Sequence, residues 1–414
     1  MKLFQQKNNS YAGEESRIRM ESGRREWRRS YAAREEERFQ ISTERSRVLM
    51  CGIMMLLVFF LSFFFVSDLT NHELSLATFG QSFMRRFNDV FDLITGNHLQ
   101  SGILNFLCMF LTALLCGIGL STSGCCFQAV FHNPMASPTM LGVESGGTLG
   151  VTLYVMFFSS PSMGALLQMN YEGYALEYNA MSMFQRYGQY FATFIGCLAV
   201  VAFILFVTKK TGSDRVQTIP LLIGGAVFTT GVNSVIQVVE YYQVITHKNT
   251  TLLLTLQQVS SSKYQGISMP SMLVFFAIPL LTGFFLMLIF ARRLNIIALG
   301  QEEAKLMGVN IEKDRILMLV LSTLMTAAVV SFCGTIGFVG LIIPHIARKV
   351  VGSDFRHLIP ASAFLGAIFM LISYDISYMT RMIIDTGVII NVVGGIIFMV
   401  TMIRYRRQNN ADWA

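Results

Sequence analysis

Charged residues are scarce in this chain: Asp, Glu, Lys and Arg make up 14% of its 414 residues, whereas apolar residues make up 53%. A soluble enzyme of this length would alternate apolar and polar residues and would not sustain long apolar runs. Several apolar windows reach the roughly 20 residues that a helix needs to cross a bilayer. The sequence therefore predicts an all-α, polytopic membrane protein.

Patterns for metal binding and disulfide formation are missing. The chain has 7 cysteines, an odd number, and they lie in or beside apolar windows without the spacing of a zinc site. We predict that they are small apolar helix residues. The 6 histidines are scattered and form no HExxH pair. These absences argue against a disulfide framework and against catalytic metal chemistry, and no cofactor is expected.

Motifs for nucleotide binding and hydrolysis are also missing. The chain contains no GxxxxGK[ST] loop and no GxSxG elbow. If nucleotide energy drives this protein, another chain must bind the nucleotide. An intramembrane enzyme would need a paired nucleophile and base, and no such pair occurs at a suitable spacing.

The charge that is present is concentrated at the N-terminus, where residues 1–47 hold 12 Lys or Arg and 8 Glu. This segment is too long and too acidic for the n-region of a signal peptide. It could bind anionic lipid or nucleic acid, but its mixed signs favour a solvated cytoplasmic segment that is partly helical through Glu/Arg pairs. We predict a poorly ordered cytoplasmic extension and no nucleic-acid partner.

The apolar windows predict ten spans inside a membrane domain that covers 48–407. The spans are 48–66, 103–131, 141–158, 190–207, 219–239, 272–290, 316–333, 335–347, 359–377 and 383–403. With the N-terminus inside, 26 of the 32 Lys and Arg residues lie in inner segments. The positive-inside rule therefore predicts that both termini are cytoplasmic, with 408–414 as a tail.

A break in the apolar pattern occurs in HNPMASPTMLGVESGG, which covers 132–147. Asn133-Pro134 ends one helix, because the residue before proline disfavours the α region and proline has no N–H to donate. Ser137 can cap the next helix, and Pro138 suits its first turn. The predicted topology makes this break the cytoplasmic turn between the second and third spans.

Two sets of glycines have the spacing of helix faces. Gly142, Gly146 and Gly150 recur every four residues, and Gly334, Gly337 and Gly340 recur every three. Each set predicts a smooth stripe on which another helix can approach closely. The stripes fit ordinary tight packing and equally fit a gate in which helices slide.

Two carboxylates fall within predicted spans: Glu144 in the third and Asp375 in the ninth. A charged side chain at mid-membrane costs roughly 2.5–3.5 kcal/mol on insertion scales, so it normally faces a cavity or a partner. Asp375 could instead be wetted at the outer end of its helix. A proton-coupled secondary carrier that uses these two residues is therefore an alternative to any ATP-driven function.

The inner segment 291–315 is amphipathic, and Gly300 and Gly308 divide it into two predicted short helices. An apolar helix face on the cytoplasmic side suits docking into a groove of another protein. The alternative is a helix pair that lies flat on the membrane.

Four blocks of this sequence together resemble the FecCD-type family, the permease subunits of ATP-binding-cassette (ABC) importers for iron-siderophore, haem and cobalamin. The blocks are GLSTSGCCFQAVFHNPMASPTMLGVESGG, ALGQEEAKLMGVN, GTIGFVGLIIPHIARKVVGSDFRHLIPASAFLGA and the Asp375 position. The similarity covers roughly 48–407. Three sequence elements that the family usually carries, towards the outer face or in the last helix, have different sequences here. Glu144 stands where the family usually has a small or neutral residue.

The resemblance implies a non-enzymatic transport subunit in the bacterial cytoplasmic membrane, with ten spans and a cobalamin-importer-like permease fold in contact with membrane lipid. Its implied partners are a second permease, as a copy or a paralogue, two cytoplasmic ABC ATPase subunits and an extracytoplasmic substrate-binding (lipo)protein. The implied cargo is a ferric siderophore or related iron chelate, with haem or cobalamin as alternatives.

The resemblance also assigns residues to roles. It assigns contact with the ATPase to a coupling segment at about 296–312, and within it to Leu299, Gly300, Glu302, Ala304, Gly308 and Val309. The pathway and gate fall on Gln128, Asn133, Pro134, Pro138, Gly142, Glu144, Gly146, Gly337, Gly340, Pro344, His345, Arg348 and Asp375, with His345 as a structural or gating residue and not a metal ligand. Docking of the binding protein falls on Arg85, Arg86 and Arg381.

Overall fold

The computed structural model describes residues 42–63, 84, 87–88, 101–134, 136–158, 183–210, 218–247, 272–299, 311–380 and 383–411. The chain divides into two compact units, 1–50 and 51–414. The described part of the first unit, 42–50, is helical. Across the described ranges the backbone forms helices, turns and irregular segments, and no β-strand.

Eleven α-helices are described. They are α1 Ser42–Phe63, α2 Ser101–Phe131, α3 Val143–Phe158, α4 Met183–Lys210, α5 Thr218–His247, α6 Ile278–Ile289, α7 Ala291–Leu299, α8 Ile311–Cys333, α9 Val339–Val351, α10 Phe355–Met379 and α11 Thr386–Ala411. A 3₁₀ turn, Pro138–Leu141, precedes α3. A π-helical turn, Met272–Ala277, precedes α6, where Pro279 has no N–H to continue the α-helical ladder backwards.

Each of the ten predicted spans overlaps one of these helices. Among the described residues, α1, α2, α8 and α10 are long and apolar enough to cross a membrane. The stretch that ends with α6 and continues after a 62° bend into α7 would be a fifth span. Helices α4, α5 and α11 carry shorter apolar stretches. The all-α membrane architecture is therefore confirmed, while the number ten stays a prediction.

Helix α2 packs against α8, α9 and α10 through positions that lack a side chain. A Cβ added at Gly117 would overlap the backbone of Gly366 in α10, and a Cβ added at Gly124 would overlap the carbonyl of Gly340 in α9. Small residues at such crossings let helix backbones touch, which is how helices associate in lipid. Ser123 adds a bond to the α8 carbonyl of Ser322 at 3.1 Å.

The predicted glycine face of the third span is correct for two of its three members. Side chains at Gly146 and Gly150 would both collide with the α4 backbone, where Gly196 lies between them. The prediction is wrong for Gly142, which precedes α3 and ends the 3₁₀ turn with φ 74°. A residue with that backbone conformation cannot continue the helical stripe.

The predicted stripe in the eighth span is also wrong. Helix α9 begins at Val339 and not at 335, because the preceding segment leaves helical geometry. Gly334 has φ 73° and Phe338 has φ 64°, and both values lie in the left-handed region. Of the three glycines, only Gly340 lies in a helix. The spacing of three therefore reflects a connecting segment and the first turn of a helix.

The segment 291–315 likewise differs from its prediction. Its first part is the expected short helix, α7. Gly300 and Gly308, which were expected to separate two helices, lie outside the described residues. From Ile311 onwards the chain already belongs to α8, which starts five residues earlier than the predicted seventh span.

All seven cysteines are buried and free. Cys125 and Cys126, for example, lie within α2 and contact Ser362 and the carbonyl of Met318. The prediction that the cysteines are small buried helix residues is confirmed.

Candidate functional site

The turn after α2 is tightly built around the motif that interrupted the apolar pattern. Helix α2 ends at Phe131, and His132 takes a positive φ of 49°. The amide of Asn133 donates to the carbonyl of Gln128, and the amide of Ala136 donates to Asn133. Ser137 takes the N-cap position of the 3₁₀ turn, but its side chain makes no capping bond. The two prolines therefore shape the turn as predicted, whereas the predicted serine cap is absent.

Gln128 connects this turn to the eighth predicted span. Its side chain is only 3% exposed, and its Nε2 donates to the carbonyl of Leu341 in α9 at 3.0 Å. A Cβ on Gly340 would lie 3.6 Å from Pro138. The structure thus brings Gln128, Pro138 and Gly340 together, although they come from separate blocks of the sequence.

Pro344 removes one helical hydrogen bond from α9 at this place. A proline inside a helix removes the hydrogen bond to the residue four positions earlier, which here is Gly340. That carbonyl lies against Gly124 of α2. His345 and Arg348 follow on the same helix, with Arg348 and Lys349 in its last turn, where positive charge is favourable.

The two candidate carboxylates lie on different helices and bond to different partners in the described part of the chain. Glu144 lies in the first turn of α3, where the helix dipole favours a negative charge. The hydroxyl of Thr139 donates to it at 3.2 Å. The side chain of Glu144 therefore has a local hydrogen-bond partner at the start of α3.

Asp375 lies in α10 and accepts a hydrogen bond from Ser62 of α1. Its other oxygen, Oδ1, is buried without a hydrogen-bond partner among the described residues. A role of Asp375 in the pathway stays a prediction.

Most of the predicted contact residues for partner proteins lie outside the described residues. They are Gly300, Glu302, Ala304, Gly308 and Val309 of the coupling segment and Arg85, Arg86 and Arg381 of the docking set. Leu299 is described: it is the last residue of α7, and its side chain is 58% exposed. Helix α7 therefore leads directly into the predicted coupling segment.

Helix α7 is held by polar bonds to three other elements. His132 Nε2 donates to the carbonyl of Ile297 at 2.7 Å. Arg293 forms an ion pair with Asp314 at the start of α8. Asn295 bonds to the N-terminus of α10, where its Nδ2 donates to Asp354 at 2.8 Å. Helix α7, which precedes the predicted coupling segment, is therefore bonded to the turn after α2 and to the N-terminal ends of α8 and α10.

Asp354 is the N-cap of α10, and its side chain accepts from the amide of Arg356. Burial alone would raise the pKa of Asp354, but hydrogen bonds from the side chains of Arg356 and Asn295, the Arg356 amide and the Arg356 charge lower it to about 2. The ring of His357 lies 3.9 Å away. Asp354 is therefore ionised at neutral pH.

Replacing Asp354 with asparagine tests this charge, because asparagine keeps a capping oxygen. The folded-state pKa of Asp354 lies below the ordinary value of about 3.9, so its charge stabilises the fold above that pH and the contribution is lost as the pH falls through about 2. We expect Asp354→Asn to lower the free energy of unfolding by on the order of 1 kcal/mol at pH 7. Thermal unfolding in detergent should show this difference shrinking as the pH approaches 2, and a difference that is constant with pH would contradict the assignment.

The structure also reveals a polar face on α5 that the sequence reasoning missed. Thr230, Asn233, Ser234 and Gln237 are exposed, while the opposite side of the helix buries Val232 and Ile236 beside Val151 of α3. Thr230 and Ser234 donate to carbonyls of their own helix. The side-chain amides of Asn233 and Gln237, in the middle of an apolar stretch, favour contact with water or protein over contact with lipid. The spacing of three and four among the exposed polar residues within the predicted span was the available signal.

Comparison with known proteins agrees with this architecture. A sequence profile described as the FecCD transport family matches residues 53–404. An uncharacterized ABC transporter permease protein of Bacillus subtilis is 31% identical over 303 residues, which is 71% of this chain and 76% of that protein. The hemin transport system permease protein of Yersinia pestis is 30% identical over 304 residues, or 72% and 82% of the two chains.

A solved structure of an ABC transporter in an inward-facing conformation is also similar. The match has a TM-score of 0.66 and covers 87% of this chain and 99% of that chain, at 22% sequence identity. At this level of identity the match establishes a shared fold.

Proposed function

This chain belongs to the FecCD transport family, and on that premise we propose that it forms the membrane pathway for a ferric siderophore or a related iron chelate. Family membership makes it a membrane-embedded permease subunit of an ABC importer. The match from 53 to 404 is the observation that carries the proposal, because it includes every helix named above apart from the ends of α1 and α11.

The names of several relatives support an iron chelate as the cargo. The Yersinia pestis relative is named for hemin, and a Bacillus subtilis relative, 27% identical, is named for iron(3+)-hydroxamate import. Both ligands are large iron chelates. A relative from Halobacterium salinarum is named for cobalamin, so haem and cobalamin are the alternative cargoes.

We infer a complex of two permeases, two cytoplasmic ABC ATPase subunits and an extracytoplasmic binding protein in the bacterial cytoplasmic membrane, with both termini of this chain in the cytoplasm. The absence of a nucleotide-binding motif supports a separate ATPase. The exposed, bent position of α7 supports contact between that ATPase and the segment 300–310. The polar face of α5 supports a pathway shared with the second permease.

Reconstituted uptake tests the proposal. The chain is co-expressed with candidate ABC ATPase and binding-protein partners, purified as a complex and placed in proteoliposomes. Uptake of a ferric hydroxamate is expected only with ATP inside and binding protein outside, because the driving force comes from nucleotide in a partner chain. Measuring the uptake of haem and of cobalamin in the same vesicles, beside that of the ferric hydroxamate, assigns the cargo. Uptake driven by an imposed proton gradient without ATP would instead support a secondary carrier.

A further inference from the structure

The nitrogen and the oxygen of the Asn295 side-chain amide in α7 both bond at a single place, the N-terminus of α10. Its Nδ2 donates to Asp354 Oδ1 at 2.8 Å. Its Oδ1 accepts from the backbone amide of Phe355 at 2.9 Å. A helix N-terminus has unsatisfied amides, so this bond satisfies a donor that needs a partner. The two bonds fix the direction as well as the distance of α7 relative to α10.

The other two bonds of α7 fix it less firmly. Arg293 is 51% exposed at its side chain, so solvent screens its ion pair with Asp314. His132 makes one bond to the carbonyl of Ile297, and this bond leaves rotation about it free. Of these three polar contacts, the pair of Asn295 bonds therefore fixes α7 most firmly to a neighbouring helix.

Helix α10 is in turn in backbone contact with the helix that ends in the candidate gate. Gly366 of α10 meets Gly117 of α2 without an intervening side chain. Closely packed backbones move together, because cores and interfaces shift between discrete packings and do not deform continuously. A path of direct contacts thus runs from α7 through Asn295 and α10 to α2.

We propose that Asn295 is a positioning residue that couples α7 to α10, so that displacement of the segment after α7 by the ATPase is passed to the gate helices. The inference rests on the proposed function, because it assigns the segment after α7 to the ATPase contact. Asn295 touches no substrate and no nucleotide in this mechanism. Its effect is on the amount of substrate moved for each ATP hydrolysed.

The test compares the unaltered complex with four variant complexes in proteoliposomes. Asn295→Leu keeps the approximate size of the side chain and removes both bonds. Asn295→Asp places one carboxylate against another. Combining Asn295→Asp with Asp354→Asn restores a donor and acceptor pair with the partners exchanged. Thr401→Val is the matched control, because its hydroxyl bonds only within α11, to Ile397. Substrate uptake and ATP hydrolysis are measured on the same vesicles, with ferric hydroxamate as substrate.

Uptake per ATP is expected to fall about fivefold in both single Asn295 variants, while their complexes still co-purify with the ATPase. It is expected to stay within about twofold of the unaltered ratio in Thr401→Val and to recover to about half or more in the double variant. A variant that only folded less stably would give a lower yield of complex, but its uptake per ATP would be unchanged. Recovery in the double variant keeps the test decisive even if Asn295→Leu assembles poorly.

An unaltered ratio in Asn295→Leu, or a double variant as defective as Asn295→Asp, would overturn the inference and leave the proposed function intact. Absence of ATP-driven uptake by the unaltered complex would overturn the proposed function and this inference with it. The two failures are therefore distinguishable in a single set of vesicles.

Discussion

Replacing Gly124 with alanine is expected to lower the free energy of unfolding by about 3 kcal/mol and to abolish transport. The added Cβ would overlap the carbonyl of Gly340 in α9. This obstacle is backbone and cannot rotate away. The bond from Gln128 to Leu341 holds α9 against α2 at the same level. The helices would have to separate at the candidate gate, and this would be measured as thermal unfolding of the purified complex together with uptake.

Gly395→Ala is the matched control for this prediction. Gly395 lies in α11, and a Cβ at this position would meet nothing within 4 Å. Alanine favours a helix over glycine by roughly 0.8–1.0 kcal/mol, so the control variant is expected to be as stable as the unaltered protein or slightly more stable. Equal stability and equal uptake of the two variants would show that the contact between Gly124 and Gly340 does not limit the approach of α2 and α9.

The positions of the spans could be predicted from the sequence because the solvent dictates them. Long apolar runs with few charges can satisfy their backbone inside a bilayer only as helices. The ends of the helices were harder to predict from the sequence, because they depend on local backbone conformation. Residues 335–338 are as apolar as the helix that follows, but the left-handed conformations of Gly334 and Phe338 keep them out of α9.

In the candidate site, too, some features could be predicted from local sequence, whereas others depend on contacts between distant residues. The break near Pro134 and Pro138 follows from proline chemistry and could be located from the sequence. The glycine spacing was misleading at Gly142 and Gly334, because a period of three or four has meaning only where the chain is already helical. The pairing of Asn295 with Asp354 joins residues 59 positions apart. No local pattern carries that information, so it required the fold.

The polar face of α5 lies between these cases. Its residues recur at helical spacing within an apolar stretch, so the sequence contained the signal, and the structure adds which side of the helix is exposed. Val232 and Ile236 face α3, so the polar residues face away from the described helix bundle. The exposed part of α5 also carries Val227, Val235 and Val238, and the hydroxyl and amide groups beside them suit a water-filled pathway.

Replacing Ser234 on this face with tryptophan is therefore expected to lower uptake about tenfold or more, because a large apolar side chain would constrict and dry the pathway. The stability of the protein should change by less than about 0.5 kcal/mol, since the position is exposed and its hydroxyl bonds only to Thr230 of the same helix. Uptake in proteoliposomes and thermal unfolding of the same preparation separate the two effects.

The control places the same bulk on an apolar exposed position. Val320 of α8 is 43% exposed, and an apolar residue at such a position in a membrane helix suits contact with lipid. Val320→Trp is expected to leave uptake within about twofold of the unaltered protein, because lipid accommodates an added ring. If both tryptophan variants transport equally well, the polar face of α5 does not line the pathway. If Ser234→Trp alone stops uptake while the complex stays folded and bound to its ATPase, then α5 lines the route of the substrate, and its hydroxyl and amide groups are there to keep that route wet.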